Sequence, residues 1–261
     1  MRLKALIFDV DGTLADTEEA HRRAFNEAFQ QYGLDWNWSK PKYAELLRTT
    51  GGKERIGTYV QSLTLGADAR GALLGLVPEI HATKTEIYTR LVSEGQVALR
   101  DGVARLLREA EAAGVRLAIA STTTFANIEA LLVTNLGQSS LGMFGVIGAG
   151  DQVQHKKPAP DIYQWVLGEL NLAARHCAAF EDSGNGLAAA KAAGLFTVVT
   201  PSYWTRDEDF AGADLVLPSL GSRERPLLHR AASLVGAPVL GLVEIDRLLK
   251  DHANMHIAHQ N

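Results

Sequence analysis

Short apolar runs alternate with stretches of helical periodicity along most of the chain. Residues 3–8 are mainly apolar up to Asp9, a pattern typical of a buried strand. Further strands are predicted over residues 115–120, 144–147, 177–180, 196–199 and 215–217. Helices are predicted between them over residues 103–113, 128–136, 162–170 and 186–193. This alternation predicts an α/β fold in which helices cover both faces of a parallel sheet.

The segment after the first strand has a different pattern. Asp16-Thr17-Glu18-Glu19 resembles a capping box, with a carboxylate at the cap, and predicts a helix that ends at Gly33. Up to about residue 93 we find helical patterns and turns, including an amphipathic helix over residues 80–91, but no convincing strand. This helical block is therefore predicted to be an insertion into the α/β fold.

The expected organisation is a discontinuous core with an inserted helical domain. We expect the core to comprise residues 1–15 and 94–220, the insertion residues 16–93, and an unassigned C-terminal extension residues 221–261. Apolar content in the extension is interrupted by Pro238, and we expect its histidine-rich end, residues 251–261, to be loose.

Composition narrows the possible partners and locations. The 261 residues are 46% hydrophobic and 21% charged, with a net charge of −4, as in ordinary globular proteins. A slightly acidic chain is a poor general binder of polyanions, so we expect no nucleic-acid partner. The uncharged stretch over residues 130–150 contains Asn135 and several glycines, which favours a helix end, loop and strand over a membrane span.

The expected location is the cytoplasm. The apolar run near the amino terminus is too short for the core of a signal peptide, and we expect no targeting segment or membrane contact. The lone Cys177 excludes an intrachain disulfide and suits a reducing compartment. We expect a monomer.

Polar side chains follow several predicted strands directly. The first strand is followed by Asp9-Val10-Asp11-Gly12-Thr13, the second by Ser121-Thr122-Thr123-Thr124, and the strand over residues 177–180 by Glu181-Asp182-Ser183. Lys156-Lys157-Pro158 precedes the helix over residues 162–170. Because ligands of open parallel sheets bind beyond the carboxyl ends of the strands, we expect these four segments to converge on one crevice.

The predicted crevice suits phosphoryl transfer. Clustered carboxylates need a cation between them, and ligation by oxygen atoms alone favours Mg²⁺. A carboxylate that attacks phosphorus needs such a charge, while a serine hydroxyl and a lysine neutralise the phosphoryl oxygens. Asp11, two residues beyond Asp9, would protonate the leaving oxygen. The alternative is that both aspartates merely form a turn after the strand.

Together, the four segments resemble the four motifs of the haloacid dehalogenase superfamily. DVDGT, the Ser121 segment, KPAPD and EDS occur in that order, and the resemblance covers about residues 1–218. It implies a phosphoric monoester hydrolase with a Rossmann-like core and an α-helical cap formed by the insertion.

The resemblance also implies a role for each motif residue. Asp9 would be the nucleophile and Asp11 the general acid and base, while Ser121 and Lys157 would hold the reacting phosphoryl group. Mg²⁺ would be bound by the carboxylates of Asp9 and Asp182 and the backbone carbonyl of Asp11, with Glu181 supporting. Whether Glu181 binds the ion directly or through a neighbouring group remains open.

Longer segments resemble one group within the superfamily. HRRAFNEAF, TTGGKERI, KKPAPDIY and TRDEDFAGADLVL are similar to bacterial, Calvin-cycle-associated phosphatases that convert xylulose 1,5-bisphosphate to xylulose 5-phosphate. A β-phosphoglucomutase-like mutase and a phosphoglycolate phosphatase remain alternatives. Asp11 argues against a dehalogenase, since loss of halide needs no acid there. The full set of charged groups argues against a binding module without activity.

Substrate contacts are also expected from the helical insertion. Residues 51–55 are interpreted either as a turn that opens a charged helix or as a flexible cap loop that brings Lys53 or Arg55 to a distal phosphate. The predicted substrate-binding residues are Glu18, His21, Gly52, Lys53, Arg55, Lys84 and Thr122.

Simpler roles remain open for several of these positions. His21 could be a packed or solvated helix residue, and Lys84 could lie on an exposed helix face. Ser121 could cap the helix over residues 128–136 or its preceding turn. Lys156 is expected to be solvated.

Overall fold

The computed structural model describes residues 2–150 and 152–258, with only the backbone at residues 253 and 255–258. Its strands are β1 Ala5–Phe8, β2 Arg116–Ala120, β3 Phe144–Gly148, β4 Cys177–Glu181, β5 Phe196–Val199 and β6 Leu215–Val216. Its α-helices are α1 Glu18–Gln31, α2 Lys40–Leu46, α3 Gly52–Ser62, α4 Ala67–Ser93, α5 Val103–Ala112, α6 Phe125–Leu136, α7 Asp161–Leu170, α8 Gly184–Ala192, α9 His229–Val235 and α10 Leu242–Ala258.

The six strands form one parallel sheet, as predicted. Their order is β3-β2-β1-β4-β5-β6, so the first strand of the chain lies in the middle. Phe8 pairs with Ile119 of β2 on one side and with Phe180 of β4 on the other. The segments after β1, β2 and β4 therefore leave the sheet at neighbouring points of one edge.

Alternating side chains of β1 enter two separate apolar clusters. Leu6 and Phe8 belong to a large cluster that also contains buried residues of α5 and α6. Ala5 and Ile7 belong to a smaller cluster with buried residues of α7 and α8. Because successive strand residues point to opposite faces, helices bury both faces of the sheet, as the continuous apolar runs predicted.

The segment between β1 and α5 is helical and contains α1 to α4. On α1, Phe25 and Phe29 are fully buried and pack against Trp38, which also lies near Tyr43. The predicted capping box is wrong, because Thr17 rather than Asp16 is the N-cap and its side chain makes no capping bond. The Thr17 hydroxyl donates to Asp11 instead, at 2.6 Å.

Residues 51–55 are not a flexible loop. Gly51 is the N-cap of α3, and Lys53 and Arg55 lie in the first turn of this helix. Gly51 has a φ of 94°, and a Cβ there would lie 2.1 Å from Glu54 Oε2. Glycine is therefore favoured by the backbone conformation, whereas the flexible end of the Glu54 side chain could move away from a Cβ.

The C-terminal extension contacts the residues just before β1 and helix α5. Asp246 of α10 accepts hydrogen bonds from the backbone N–H groups of Arg2, at 2.6 Å, and Leu3, at 2.8 Å. Arg105 of α5 donates to the carbonyls of Leu220, Gly221 and Leu240. The end that was expected to be loose has a helical backbone as far as residue 258, where α10 ends, and residues 259–261 lie outside the described residues.

The predicted domain boundaries remain predictions. Among the described residues, no helix is both long and apolar enough to cross a membrane.

Candidate active site

The predicted motifs meet around one cavity of about 290 Å³ at the carboxyl edge of the sheet. Asp9, Asp11, Thr122, Lys157 and Asp182 line it from the sheet side. The predicted residues that line it from the inserted helices are Glu18, His21, Gly52, Arg55 and Lys84. The two groups are far apart in the chain. They meet because the inserted helices fold back over the carboxyl ends of the strands.

Asp9 lies at the centre of the motif residues. Lys157 Nζ donates to Asp9 Oδ1 at 2.7 Å and to Glu181 Oε1 at 2.6 Å, and the Thr13 hydroxyl donates to Asp9 Oδ2 at 3.1 Å. Burial raises the pKa of Asp9 to about 8, although Lys157 opposes this. The pKa of Lys157 is raised, because its two carboxylate partners outweigh the cost of burying the ammonium.

Three carboxylates at this point are arranged for a cation. Oxygen atoms of Asp9, Glu181 and Asp182 lie within 4.8 Å of one another. Burial and the charges of Asp9 and Glu181 raise the pKa of Asp182 well above its usual range. Glu181 Oε1 also accepts from the Tyr163 hydroxyl at 2.5 Å, whereas its buried Oε2 has no hydrogen-bond partner. One lysine cannot balance three carboxylates, so this all-oxygen donor set fits Mg²⁺.

Asp11 is held by groups from α1 and the turn before it. The Thr17 hydroxyl donates to Asp11 Oδ1 at 2.6 Å, and His21 Nε2 lies 2.9 Å from the same oxygen. Lys84 Nζ lies 2.7 Å from His21 Nδ1. Burial would raise the pKa of Asp11, but His21 and Thr17 outweigh it and lower that pKa. These contacts fit a neutral His21 with its proton on Nε2. In this form, Nδ1 accepts a hydrogen bond from Lys84 Nζ, and the Nε2–H group donates one to Asp11 Oδ1.

The segment after β2 presents threonines to the cavity. Thr122, Thr123 and Thr124 line the cavity, whereas Ser121 is only 1% exposed and is not among the lining residues. The Ser121 hydroxyl accepts from the backbone N–H of Thr123 at 3.3 Å. The N-cap of α6 is Thr124, so Ser121 takes part in the preceding turn rather than capping the helix.

Two buried cations lie on the side of the inserted helices. Burial lowers the pKa of Lys84 to about 7, and its Nζ lies 4.9 Å from the Phe25 ring centre. Arg55 donates to the Tyr43 hydroxyl at 3.0 Å, and that hydroxyl donates to Glu18 at 2.6 Å. Lys84 therefore does not lie on an exposed helix face, and Tyr43 links Glu18 to Arg55.

Lys53 borders a neighbouring cavity of about 360 Å³. Gly52, His81 and Thr122 line both cavities, and Lys156 lines the second one. The expectation of a solvated Lys156 is wrong, because its side chain is 15% exposed and its Nζ lies 2.8 Å from Glu54 Oε1. This ion pair joins the segment before α7 to the inserted helix α3.

The family follows from comparison with known proteins. A family model described as haloacid dehalogenase-like hydrolase matches residues 3–194. The chain belongs to the haloacid dehalogenase-like hydrolase family. The predicted superfamily and the α/β fold with cap helices are therefore confirmed.

Several relatives of this hydrolase are closely similar to it. Protein CbbY of Rhodobacter capsulatus is 52% identical over 223 residues, which cover 85% of this chain and 96% of the relative. The phosphorylated carbohydrates phosphatase of Thermotoga maritima is 33% identical over 74% of this chain and 82% of the relative. The family match and the CbbY relatives confirm the prediction of a phosphatase.

Solved structures show the same arrangement. CbbY from Rhodobacter sphaeroides in complex with phosphate has a TM-score of 0.77 at 49% identity, covering 83% of this chain and 94% of that chain. A mutant of that protein in complex with xylulose 1,5-bisphosphate has a TM-score of 0.78 at the same identity and coverage.

Sequence reasoning missed several cavity residues of this hydrolase. His81 lines both cavities, and burial lowers its pKa to about 3, so it is neutral at ordinary pH. A Cβ on Gly52 would lie 2.5 Å from His81 Nε2, which explains glycine at that position. The spacing of His81 and Lys84 on one helix face could have identified it. Trp204 and Thr205 also line the main cavity; Thr205 begins the segment TRDEDFAGADLVL, but nothing in that segment indicated a contact with the cavity.

Proposed function

We propose that this phosphatase hydrolyses one phosphate ester of a sugar bisphosphate, converting xylulose 1,5-bisphosphate to xylulose 5-phosphate. The observation that carries the proposal is the cavity itself, with Asp9 and Lys157 on the sheet side and Arg55 and Lys84 on the helical side. Such a site suits a substrate with a negative charge at both ends. The complex of the 49% identical Rhodobacter sphaeroides CbbY mutant with xylulose 1,5-bisphosphate supports this choice.

In the first step, a carboxylate oxygen of Asp9 attacks the phosphorus atom. A bond forms between this oxygen and phosphorus while the bond to the sugar oxygen breaks, which leaves an aspartyl-phosphate on the protein. Lys157, already 2.7 Å from Asp9, neutralises the phosphoryl oxygens, and Thr122 and Thr123, which follow the buried Ser121, line the same cavity. The negative substrate favours the protonated form of Asp11, which gives its proton to the departing sugar oxygen.

In the second step, water replaces Asp9 on the phosphoryl group. Asp11, which is now ionised, accepts a proton from the attacking water. His21 and Thr17 stabilise this ionised form through their hydrogen bonds to Oδ1. Phosphate and the free carboxylate of Asp9 are the products.

Mg²⁺ would be held by the carboxylates of Asp9 and Asp182 and the backbone carbonyl of Asp11, with Glu181 supporting. When bound, it supplies positive charge that offsets repulsion between the attacking carboxylate and the phosphoryl oxygens. The partnerless Glu181 Oε2 and the raised pKa values of Asp9 and Asp182 support this site.

The distal phosphate is expected against the cations of the inserted helices. Lys53 borders the second cavity, and Arg55 borders the main one, where Tyr43 holds its guanidinium. Glu18, His21, Gly52, Lys84 and Thr122 complete the proposed contacts with the sugar and its phosphates. We also propose that the protein works in the cytoplasm, since its lone Cys177 is a buried free thiol that suits a reducing compartment. A monomeric state is a further part of the proposal.

A kinetic comparison of four substrates tests this function. We expect the highest kcat/KM for xylulose 1,5-bisphosphate, with Mg²⁺-dependent release of one phosphate, and lower values for ribulose 1,5-bisphosphate, β-glucose 1-phosphate and phosphoglycolate. The highest kcat/KM for phosphoglycolate would refute the bisphosphate assignment. Conversion of β-glucose 1-phosphate without release of phosphate would indicate a mutase.

A further inference from the structure

Asp182 is held by a turn that the proposed reaction does not use. The turn comprises residues 202–208, between β5 and β6, and includes the nearly buried Thr205. The Thr205 hydroxyl donates to Asp182 Oδ2 at 3.2 Å. On its other side, Asp182 packs so closely against Gly12 that a Cβ there would lie 2.1 Å from Oδ2. The position of this carboxylate is therefore restricted from both sides.

Hydrogen bonds within the turn orient the Thr205 hydroxyl. The backbone N–H of Ser202 donates to Thr205 Oγ1 at 2.9 Å, and the Ser202 hydroxyl lies 3.1 Å from the same oxygen. A carboxylate accepts hydrogen bonds, so the single Thr205 proton is directed to Asp182. The Ser202 hydroxyl also accepts from the backbone N–H of Trp204.

The same turn contacts both α8 and the inserted helices. Glu208 accepts from the backbone N–H of Gly184 at 2.6 Å, two residues beyond Asp182. Trp204 packs edge-on against Tyr43, with 5.5 Å between ring centres. Tyr43 in turn bonds Glu18 and Arg55 on the far side of the cavity. A continuous set of contacts therefore runs from Asp182 to residues proposed to bind substrate.

We propose that Thr205 is a positioning residue for Asp182, and that its turn couples the cation site to the substrate side of the cavity. This inference rests on the proposed function, in which Asp182 binds Mg²⁺. Groups that orient a metal ligand contribute to affinity because they fix the ligand before the ion arrives. By linkage the proposed coupling is reciprocal, so that phosphate would strengthen Mg²⁺ binding by the same factor as Mg²⁺ strengthens phosphate binding.

Isothermal titration of Mg²⁺ into the full chain tests the positioning role. We expect Thr205→Val, which is close in shape but lacks the hydroxyl, to raise the Kd for Mg²⁺ roughly tenfold or more. Thr205→Ser should restore most of the affinity. Thr197→Val is the matched control, since this buried threonine of β5 bonds the Leu195 carbonyl and not Asp182. It should bind Mg²⁺ as the wild type does.

The outcomes separate the inference from the proposed function. A Kd for Thr205→Val equal to that of the wild type overturns the inference, as does an equal loss in Thr205→Ser or Thr197→Val. If circular dichroism shows that Thr205→Val is unfolded, Thr205→Ala is read in the same way. A wild-type chain that binds no Mg²⁺ would overturn the proposed cation site and this inference with it.

The coupling has its own measurement with inorganic phosphate as the probe. Saturating phosphate should lower the Kd of the wild type for Mg²⁺, and Trp204→Ala should reduce that effect at least threefold. The Kd of Trp204→Ala without phosphate should stay within about twofold of the wild type, because the Thr205 hydroxyl is retained. An undiminished phosphate effect in Trp204→Ala would overturn the coupling.

Discussion

Asp9 and Asp11 lie two positions apart, yet their surroundings shift their pKa values in opposite directions. Burial raises the pKa of Asp9 to about 8 even with Lys157 beside it, so the carboxylate needs a further cation to be ionised at neutral pH. His21 and Thr17 lower the pKa of Asp11 despite its burial. Two carboxylates with different environments can take different roles, and here this difference separates the proposed nucleophile from the proposed acid and base.

Asp9→Asn should abolish turnover and leave the fold intact. The amide has nearly the shape of the carboxylate but is a poor nucleophile, and we expect kcat to fall at least ~10³-fold. Steady-state kinetics with xylulose 1,5-bisphosphate and circular dichroism provide the measurement, with the exposed Asp35→Asn as control. Residual activity within about tenfold of the wild type would refute the nucleophile assignment.

Lys84 carries a cost in stability that depends on pH. Its folded-state pKa, lowered by burial to about 7, lies below the unfolded value, so the unfolded chain binds more protons between about pH 7 and pH 10.5. The contribution of Lys84 to the free energy of unfolding therefore increases as pH rises through that range.

Lys84→Met removes this contribution while filling the same space. We expect the variant to exceed the wild type in unfolding free energy by on the order of a few kcal/mol at pH 7. The difference in unfolding free energy should shrink towards pH 10. The Lys84→Met variant should also lose activity. Urea denaturation at several pH values measures it, and a difference that grows with pH would contradict the assigned pKa direction.

At the scale of elements, the first turn of α3 carries cations to the edge of the site. A flexible loop would lose conformational entropy when it closed on a substrate, whereas a helix already holds Lys53 and Arg55 in fixed directions. Gly51 and Gly52 allow this, since Gly51 has a positive φ and the His81 ring leaves no room for a Cβ at Gly52.

Lys53→Ala and Arg55→Ala should act selectively on bisphosphates. A charge-assisted contact with the distal phosphate is worth about 1.5–3 kcal/mol, so kcat/KM for xylulose 1,5-bisphosphate should fall roughly tenfold to a hundredfold. An aryl phosphate lacks the second phosphate and should be hydrolysed nearly as before. Lys42→Ala, at a partly exposed position of α2, is the control.

The two variants also differ in what else they disturb. Arg55→Ala removes the partner of Tyr43, so thermal unfolding must be measured beside the kinetics. Equal losses of kcat/KM on both substrates, at unchanged stability, would mean that the start of α3 helps the inserted helices to close over the cavity. It would then have no specific role in recognition of the distal phosphate.

At the scale of the whole molecule, the C-terminal extension joins the two ends of the chain. The Asp246 carboxylate accepts from two backbone N–H groups just before the central strand β1 and pairs with Lys250. Burial would raise its pKa, but Lys250 and the two N–H groups outweigh it and lower that pKa. Helix α10 thereby holds the start of the strand that carries Asp9 at its other end.

Asp246→Ala should destabilise the fold without changing the chemistry. It leaves the N–H of the buried Leu3 without its partner, at a cost of about 1–3 kcal/mol. Chemical denaturation measures the loss, with Asp251→Ala at an exposed position of the same helix as control. Well below the unfolding transition, kcat should match that of the wild type. A loss of kcat in the folded protein would show that α10 also affects Asp9.

The sequence by itself determined the strands, the inserted helical block and the motif residues. These depend on local periodicity and on strand order, because every parallel strand delivers its following residues to the same edge of the sheet. Asp9, Lys157 and Asp182 were identifiable for this reason before any distance was known. The helix boundaries near residues 103, 162 and 186 followed from the same local patterns.

Only the tertiary structure decided how the inserted helices meet the sheet. The pairing of Lys156 with Glu54, the contact of Trp204 with Tyr43 and the hydrogen bond from Thr205 to Asp182 join residues far apart in the chain, or on different elements. Several of these residues lie in segments that carried the resemblance, but no spacing along the chain identifies their contact partners. Their partners depend on the packing of whole helices, which local periodicity does not encode.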